Sequence, residues 1–462
     1  MAETEEKQGR FALAEAVGNG EDEYGAYQII PLSMVAGGKL HEVKVHTKPM
    51  RHVINDSAPN PRGWYKDKEV EDRVRPRPCY TEALLTTPYG GFCPVGCRFC
   101  YVDHGTRGYR ATGIPTVNPH YPEAYAKYLS KMYIAPAAYI SSFTEPNQPI
   151  EDVYHVVQRL SEVLTAVGLP LFYLSRKLVP DWAFDFLQAN PYSYMQWSIN
   201  SSKTSVYKKL SPGSFTIEEV MGDMLRLSNA GIYVSVQCNP VLPGIVDLED
   251  LKQLVRMVAD NGGRHIIFKF AEQVYSNRKL LLDRLSGIPG SAEFEKMFTQ
   301  SIGGVYTIAQ DIRVAWLTEL LAETRANGIT MSTCYEYYAN GAGGANLAPW
   351  FTTSDQCHGR GVPMFYRETL QEQFKPLPGC YRKGCLYCKD FGTHACQNSK
   401  LLEADALKYK DYRDIQLSGD KSLWDLPDSC ARPASIEKSR AANPNMITDA
   451  ELWGLKDLED VL

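Results

Sequence analysis

Between about residues 81 and 335, short runs rich in Val, Ile, Leu, Phe and Tyr alternate with amphipathic helical stretches, and this alternation restricts the fold most. The apolar runs are 83–86, 138–142, 171–175, 194–199, 233–237 and 265–270, with 329–334 as a seventh. Such strands, separated by helices, predict βαβ units and a parallel sheet buried on both faces. The helices carry readable ends. Thr216-Ile-Glu-Glu219 is a capping box, and Ile217, Val220, Met221, Met224 and Leu225 share one face of the helix it opens. Asp247 caps a helix bearing Leu251, Leu254, Val255 and Val258, which stops at Gly262-Gly263. The expected class is α/β. Six such units fit a partial (β/α)6 TIM-type barrel better than a doubly wound sheet, although periodicity alone does not fix closure.

Around this unit the 462 residues divide by composition. Residues 1–24 read as an acidic flexible tail, and 25–80 as a basic, aromatic N-terminal extension. The barrel is expected over 81–335, and a cysteine-rich extension with an acidic tail over 336–462. Between Lys44 and Arg110 there are twelve Lys/Arg against seven Asp/Glu, whereas 401–462 holds eight against thirteen. The net charge of −5 excludes a chain built around a bulk basic field. No apolar run reaches the roughly 18 residues of a membrane span, and the acidic N-terminus lacks the basic start of a secretory signal. A cytoplasmic protein without a membrane partner is expected.

Twelve cysteines in such a chain point to metal or redox chemistry rather than disulfides. The first group, Cys93-Pro-Val-Gly-Cys97-Arg-Phe-Cys100, comes just after the first strand. Three thiolates on one loop can hold three irons of a 4Fe–4S cubane and leave the fourth open. Structural zinc normally takes four protein ligands; His104 would supply the fourth in a Cys3His site.

The segment resembles the signature of radical S-adenosylmethionine (SAM) enzymes, including an aromatic residue, Phe99, before the third cysteine. Over roughly residues 80–275 the chain is most similar to spore photoproduct lyase and its relatives. The shared features are Ser141-Ser-Phe-Thr-Glu-Pro146, Leu174-Ser-Arg-Lys177, Trp197-Ser-Ile-Asn200 and Asn239-Pro-Val-Leu-Pro-Gly244, each after a strand. The resemblance implies a SAM-binding 4Fe–4S cluster on Cys93, Cys97 and Cys100. It also implies reductive cleavage of SAM to a 5′-deoxyadenosyl radical that abstracts hydrogen from substrate. It places Phe99 against adenine and Ser142, Arg176 and Ser198 on SAM, with Thr144, Glu145 and Asn200 as neighbours. Arg, Ser and Asn suit the carboxylate and ribose hydroxyls of SAM. An electron donor such as flavodoxin or ferredoxin is implied as a partner.

One departure bears on the reaction. The lyase returns hydrogen to its product radical from a cysteine near the end of the second strand, where this chain reads Tyr139-Ile-Ser-Ser-Phe-Thr144. Tyr101, beside Cys100, and Cys238, on the fifth strand, are the candidate catalytic residues. An isomerisation in which the radical recovers its own hydrogen would need no thiol.

The second group, Cys380, Cys385, Cys388 and Cys396, has the spacing Cx4Cx2Cx7C and reads as an auxiliary 4Fe–4S site or, alternatively, a zinc ribbon. Cys334 and Cys357 could exchange into it. Three functions are compatible with these features. The first is a radical SAM lyase or isomerase acting on a modified thymine or other nucleobase, in DNA or as a nucleotide. Trp64, Tyr65, Tyr80, Tyr89, Tyr101 and Tyr109 within the basic segment support it, since aromatics stack on bases while Arg and Lys neutralise phosphates. The second is a radical SAM enzyme acting on a small molecule or peptide. The third is a non-enzymatic metal protein that binds nucleic acid. In an extended chain, Arg73, Arg75 and Arg77 would form one row, as a phosphate clamp or as partners for acidic residues.

Overall fold

The computed structural model describes residues 11–34, 41–49, 84–100 and 114–376, apart from positions 14, 23, 92, 133, 136, 142, 303–304, 335, 340–343, 347–350, 355–357 and 364. A seven-stranded parallel sheet occupies its centre. The strands, in chain order, are Leu84–Leu85, Ala138–Ile140, Leu171–Ser175, Tyr194–Ser198, Tyr233–Val241, His265–Phe270 and Thr330–Thr333. Each pairs with its neighbours in sequence, so the sheet winds in one direction and has no switch point. That order excludes the doubly wound alternative. Helices connect successive strands throughout, as βαβ crossovers require.

The expected helix ends are present. Thr216 and Glu219 form the reciprocal capping box on Ile217–Asn229, and the Asp247 carboxylate accepts the Asp250 N–H at 2.6 Å on Leu248–Asp260. Each such cap contributes about 1 kcal/mol. At the other end of Leu248–Asp260, Gly262 has φ +80°, and a Cβ there would lie 2.2 Å from the Ser228 hydroxyl. Only glycine fits that stop.

The two-residue period separates the sheet faces. Ile140, Leu171, Met195, Trp197, Val234, Val236, Ile266, Phe268 and Met331 fall on one face, and all of them belong to the buried core. The other face carries Phe172, Tyr194, Gln196, Ser235, His265 and Ser332. There Gln196 donates to the Ser235 hydroxyl at 3.0 Å, and His265 sits within 2.8 and 3.1 Å of the Thr330 and Ser332 hydroxyls. Tyr139, Phe172 and Tyr194 stack across three strands, with ring centres 4.2 and 4.5 Å apart.

A second sheet precedes the first. Its order is Phe11–Leu13, Gly25–Met34, His41–His46, Thr116–Val117, Tyr89–Gly90, with Gly18–Asp22 also paired to Gly25–Met34. This corrects the expected tail over 1–24: from Phe11 onward much of it is strand. Gly18-Asn-Gly-Glu-Asp22 has no apolar period, and its order comes from backbone pairing with Gly25–Met34. The Asp22 carboxylate adds 3.0 Å contacts to Lys44 and His46. Among the described residues no helix is long and apolar enough to cross a membrane.

Candidate active site

The three-cysteine loop leaves the N-terminal sheet at Tyr89–Gly90, and the chain re-enters that sheet at Thr116–Val117. These two segments pair with each other, Tyr89 opposite Val117, so both ends of the excursion are fixed. Within the loop, the Gly96 N–H donates to the Cys93 carbonyl and the Cys100 N–H to the Cys97 carbonyl, both at 3.2 Å. The loop docks on the end of the helix Thr204–Leu210: Arg98 N–H donates to Leu210 O, and Gly213 N–H to Val95 O, at 2.9 Å each. A Cβ on Gly213 would lie 2.3 Å from the Pro94 carbonyl, so the close approach needs glycine.

Cys93, Cys97 and Cys100 are partly exposed thiols outside any disulfide. Two donors from elsewhere in the chain address their sulfurs. The Ser211 hydroxyl lies 3.2 Å from Cys97 Sγ, and the Glu145 N–H lies 3.5 Å from Cys93 Sγ. Hydrogen bonds of this kind stabilise thiolate ligands and tune a cluster they hold. Among the described residues no three His, Cys, Asp or Glu donors converge on one metal ion. A cubane does not ask for that, because each thiolate takes a different iron. The donor set therefore fits a 4Fe–4S cluster.

Beside the loop, the Arg176 guanidinium lies 5.0 Å from the centre of the Phe99 ring. It donates to Ser198 O at 2.8 Å, Asn200 Oδ1 at 2.7 Å and Asn239 O at 3.4 Å, and thereby ties together the C-terminal ends of the third, fourth and fifth strands. Burial works to lower its pKa, but the Cys97 sulfur, Tyr207 and Cys100 outweigh burial and raise it. Arg176 is thus a fixed cation facing the sulfurs. The Ser198 carbonyl also accepts from the Tyr207 hydroxyl at 3.0 Å; burial pushes that phenol up to about 12.

Three of the expected SAM neighbours also hold the strand ends through internal hydrogen bonds. Both Glu145 oxygens are engaged, one with the Ser175 hydroxyl at 2.5 Å and the Asn147 N–H at 3.1 Å, the other with the Arg176 N–H at 2.9 Å. Burial raises the Glu145 pKa, partly offset by these donors. Asn200 holds Arg176 and donates to Pro240 O at 2.6 Å. Thr144 donates to Tyr89 O at 3.2 Å.

Cys238 lies on the fifth strand, Tyr233–Val241. It continues the Val234, Val236 face of the fifth strand, away from Gln196 and Ser235, and is fully buried. Burial also pushes its thiol well above the usual range. Tyr101, Ser142, Cys380, Cys385, Cys388 and Cys396 lie outside the described residues, as do His104, Cys357 and the row Arg73, Arg75 and Arg77.

Sequence reading missed Ser211, Tyr207 and the Tyr89–Glu151 pair. Ser211 is 114 positions from Cys97, and no local pattern links them. Glu151 is buried, accepts from the Tyr89 hydroxyl, and caps the helix Val156–Ala166 through Val157 and Gln158 N–H at 3.0 and 2.8 Å. Burial raises it to about 7 against those bonds.

A singly wound parallel sheet thus sets three thiols on one loop beside a buried arginine. A protein of Pseudomonas phage M6, named radical SAM Nalpha-GlyT isomerase, is 41% identical over 84% of this chain and 85% of its own length. The chain belongs to the radical SAM family and is a radical SAM enzyme; a 4Fe–4S cluster and SAM are the family's cofactors. No family model matches. Among solved structures, spore photoproduct lyase with dinucleoside spore photoproduct is similar at 14% identity and TM-score 0.42, over 63% of this chain and 81% of that one. SuiB of Streptococcus suis bound to S-adenosylmethionine is similar at 11% identity and TM-score 0.36, over 52% and 48%.

Proposed function

We propose that this chain is a radical SAM isomerase acting on a modified thymine-type nucleobase, carried in DNA or as a nucleotide. The observation that carries the isomerase reading is the second-strand end, where no cysteine stands at the position of the lyase's hydrogen donor. That segment reads Tyr139-Ile-Ser-Ser-Phe-Thr144, and Cys238 on the fifth strand remains the alternative thiol. A reaction that returns the abstracted hydrogen to the product needs no such donor. The phage relative's name, Nalpha-GlyT isomerase, supports the same reaction class.

In this reading Cys93, Cys97 and Cys100 hold the cluster, with Ser211 and the Glu145 N–H donating to their sulfurs. When bound, the cluster and SAM supply hydrogen-atom abstraction. Phe99 and Arg176 form the wall against SAM and Ser198 offers its hydroxyl beside them; Ser142, outside the described residues, is the further SAM contact that the family resemblance implies. Glu145, Asn200 and Thr144 keep that wall in place. Tyr101, next to Cys100, remains the candidate catalytic side chain. The parallel sheet is the wall of a partial (β/α)6 barrel over 81–335. Cys380, Cys385, Cys388 and Cys396 bind an auxiliary 4Fe–4S cluster in the 336–462 extension, and a cytoplasmic flavodoxin or ferredoxin delivers electrons.

The test is anaerobic incubation with SAM and a reductant, offering modified thymidines, their 5′-monophosphates and DNA containing them. An isomerase yields a product of unchanged mass and altered fragmentation. A product whose mass has changed, or turnover confined to peptides, would refute the proposal.

A further inference from the structure

The segment between the sixth and seventh strands forms a small unit of its own. Glu272–Val274 comes a single residue after the sixth strand and pairs antiparallel with Val305–Thr307, which pairs in turn with Gln300–Ile302. The Thr307 hydroxyl donates to Ala271 O at 3.1 Å and fixes the unit to the strand end. It therefore stands on the C-terminal edge of the parallel sheet, the edge that also bears the cysteine loop and Arg176.

An aromatic ladder runs through this unit from core to solvent. Phe294 and Phe298, both fully buried, stack with ring centres 5.1 Å apart. The Arg278 guanidinium lies 5.9 Å from the Phe298 ring and 5.0 Å from the Tyr306 ring. Tyr306 in turn lies 4.3 Å from Tyr275, which is 59% exposed. Arg278 forms no ion pair with a carboxylate among the described residues; it donates from Nη2 to Phe298 O at 3.4 Å, and its buried Nε has no partner. Neighbouring Lys279 already answers Asp283 at 3.3 Å.

An exposed ring backed by a core-anchored ladder loses little freedom when a second flat group stacks on it. A cation without a carboxylate partner over the adjoining Tyr306 ring favours an anion near the exposed Tyr275 ring. Together they match a base and its phosphate. We propose that the Tyr275–Arg278 corner binds a single-stranded stretch of DNA adjoining the reacting nucleobase, with Tyr275 stacking on a base and Arg278 neutralising a phosphate. This rests on the nucleobase reading and narrows it to DNA.

The experiment is fluorescence anisotropy of a labelled oligothymidylate with the cluster-loaded protein. About 20 nucleotides suffice, longer than the roughly 4–16 that a single binding domain covers. Tyr275→Ala should weaken binding at least about fivefold, the lower end of what one base stack contributes. Tyr275→Trp should retain it. Arg278→Gln should weaken binding and reduce the salt slope between about 50 and 200 mM by roughly 0.7, one phosphate's worth on a single strand. Because Tyr275 is exposed, its substitution should leave the thermal midpoint in place. Equal binding by Tyr275→Ala and the wild type would overturn the proposal. So would a wild type that ignores the oligonucleotide yet isomerises a free nucleotide, which leaves the nucleobase reading standing. A Tyr275→Ala change in oligomeric state without oligonucleotide binding would overturn it too, as a protein contact. Tyr275-dependent DNA binding by a protein that turns over no modified thymine would keep the surface and refute the function.

Discussion

Arg176 and Phe99, 77 positions apart in the chain, meet with the guanidinium 5.0 Å from the ring centre, and this pair joins the cysteine loop to three strand ends. The three hydrogen bonds from Arg176 use the planar fork of guanidinium, which an ammonium does not reproduce. Arg176→Lys should therefore lower stability by about 2 kcal/mol, the scale of losing charged, buried hydrogen bonds. It should also weaken SAM binding while cluster absorbance persists. Urea unfolding and SAM titration of the reconstituted protein read the two effects separately; an unchanged SAM affinity would remove Arg176 from the binding wall.

Ser211→Ala removes a hydroxyl 3.2 Å from Cys97 Sγ. Donors to cluster sulfurs favour the more negative, reduced state. The variant should load the same iron and show a more negative midpoint potential in an EPR-monitored titration. An unaltered potential would mean that this bond does not reach the cluster.

Glu151 gives a pH signature. Its carboxyl is raised from 4.5 to about 7, chiefly by burial, so the unfolded chain ionises it first. Stability is then greatest below about pH 4.5, for this group, and falls as pH rises to about 7, beyond which the loss is complete. At 1.36 kcal/mol per pH unit the loss is about 3 kcal/mol. Glu151→Gln should flatten this fall, seen as a smaller difference between unfolding midpoints at pH 5 and pH 8. A wild-type slope retained in the variant would assign the effect to another group.

For the second cysteine group, the reconstituted protein should hold about eight irons, four per cubane. Replacing Cys93, Cys97 and Cys100 together by Ala should leave about four. Four irons with one zinc in the wild type would make the extension a zinc site.

Much of the sheet was legible because its strands are buried on both faces and read as near-continuous Val, Ile, Phe and Tyr runs. Leu171–Ser175 and His265–Phe270 end where the sequence suggests. The fifth strand does not: Asn239-Pro240 reads as a stop, yet pairing resumes at Val241 opposite Phe270 after a register shift. The face of Cys238 is legible from the sequence, since Val234, Val236 and Cys238 alternate along the strand. Glu145 and Asn200 were harder. Polar residues at strand ends can serve a ligand, each other or both, and their pairings with Arg176 and Ser175 are not visible in the sequence.

The most direct test of the isomerase reading is turnover of the modified thymine substrate in deuterium oxide. Hydrogen returned from the same site that abstracted it never meets solvent, so the product should carry no solvent deuterium. A thiol or phenol donor exchanges its proton with solvent and would leave one deuterium in each product molecule, which would contradict the isomerisation proposed here.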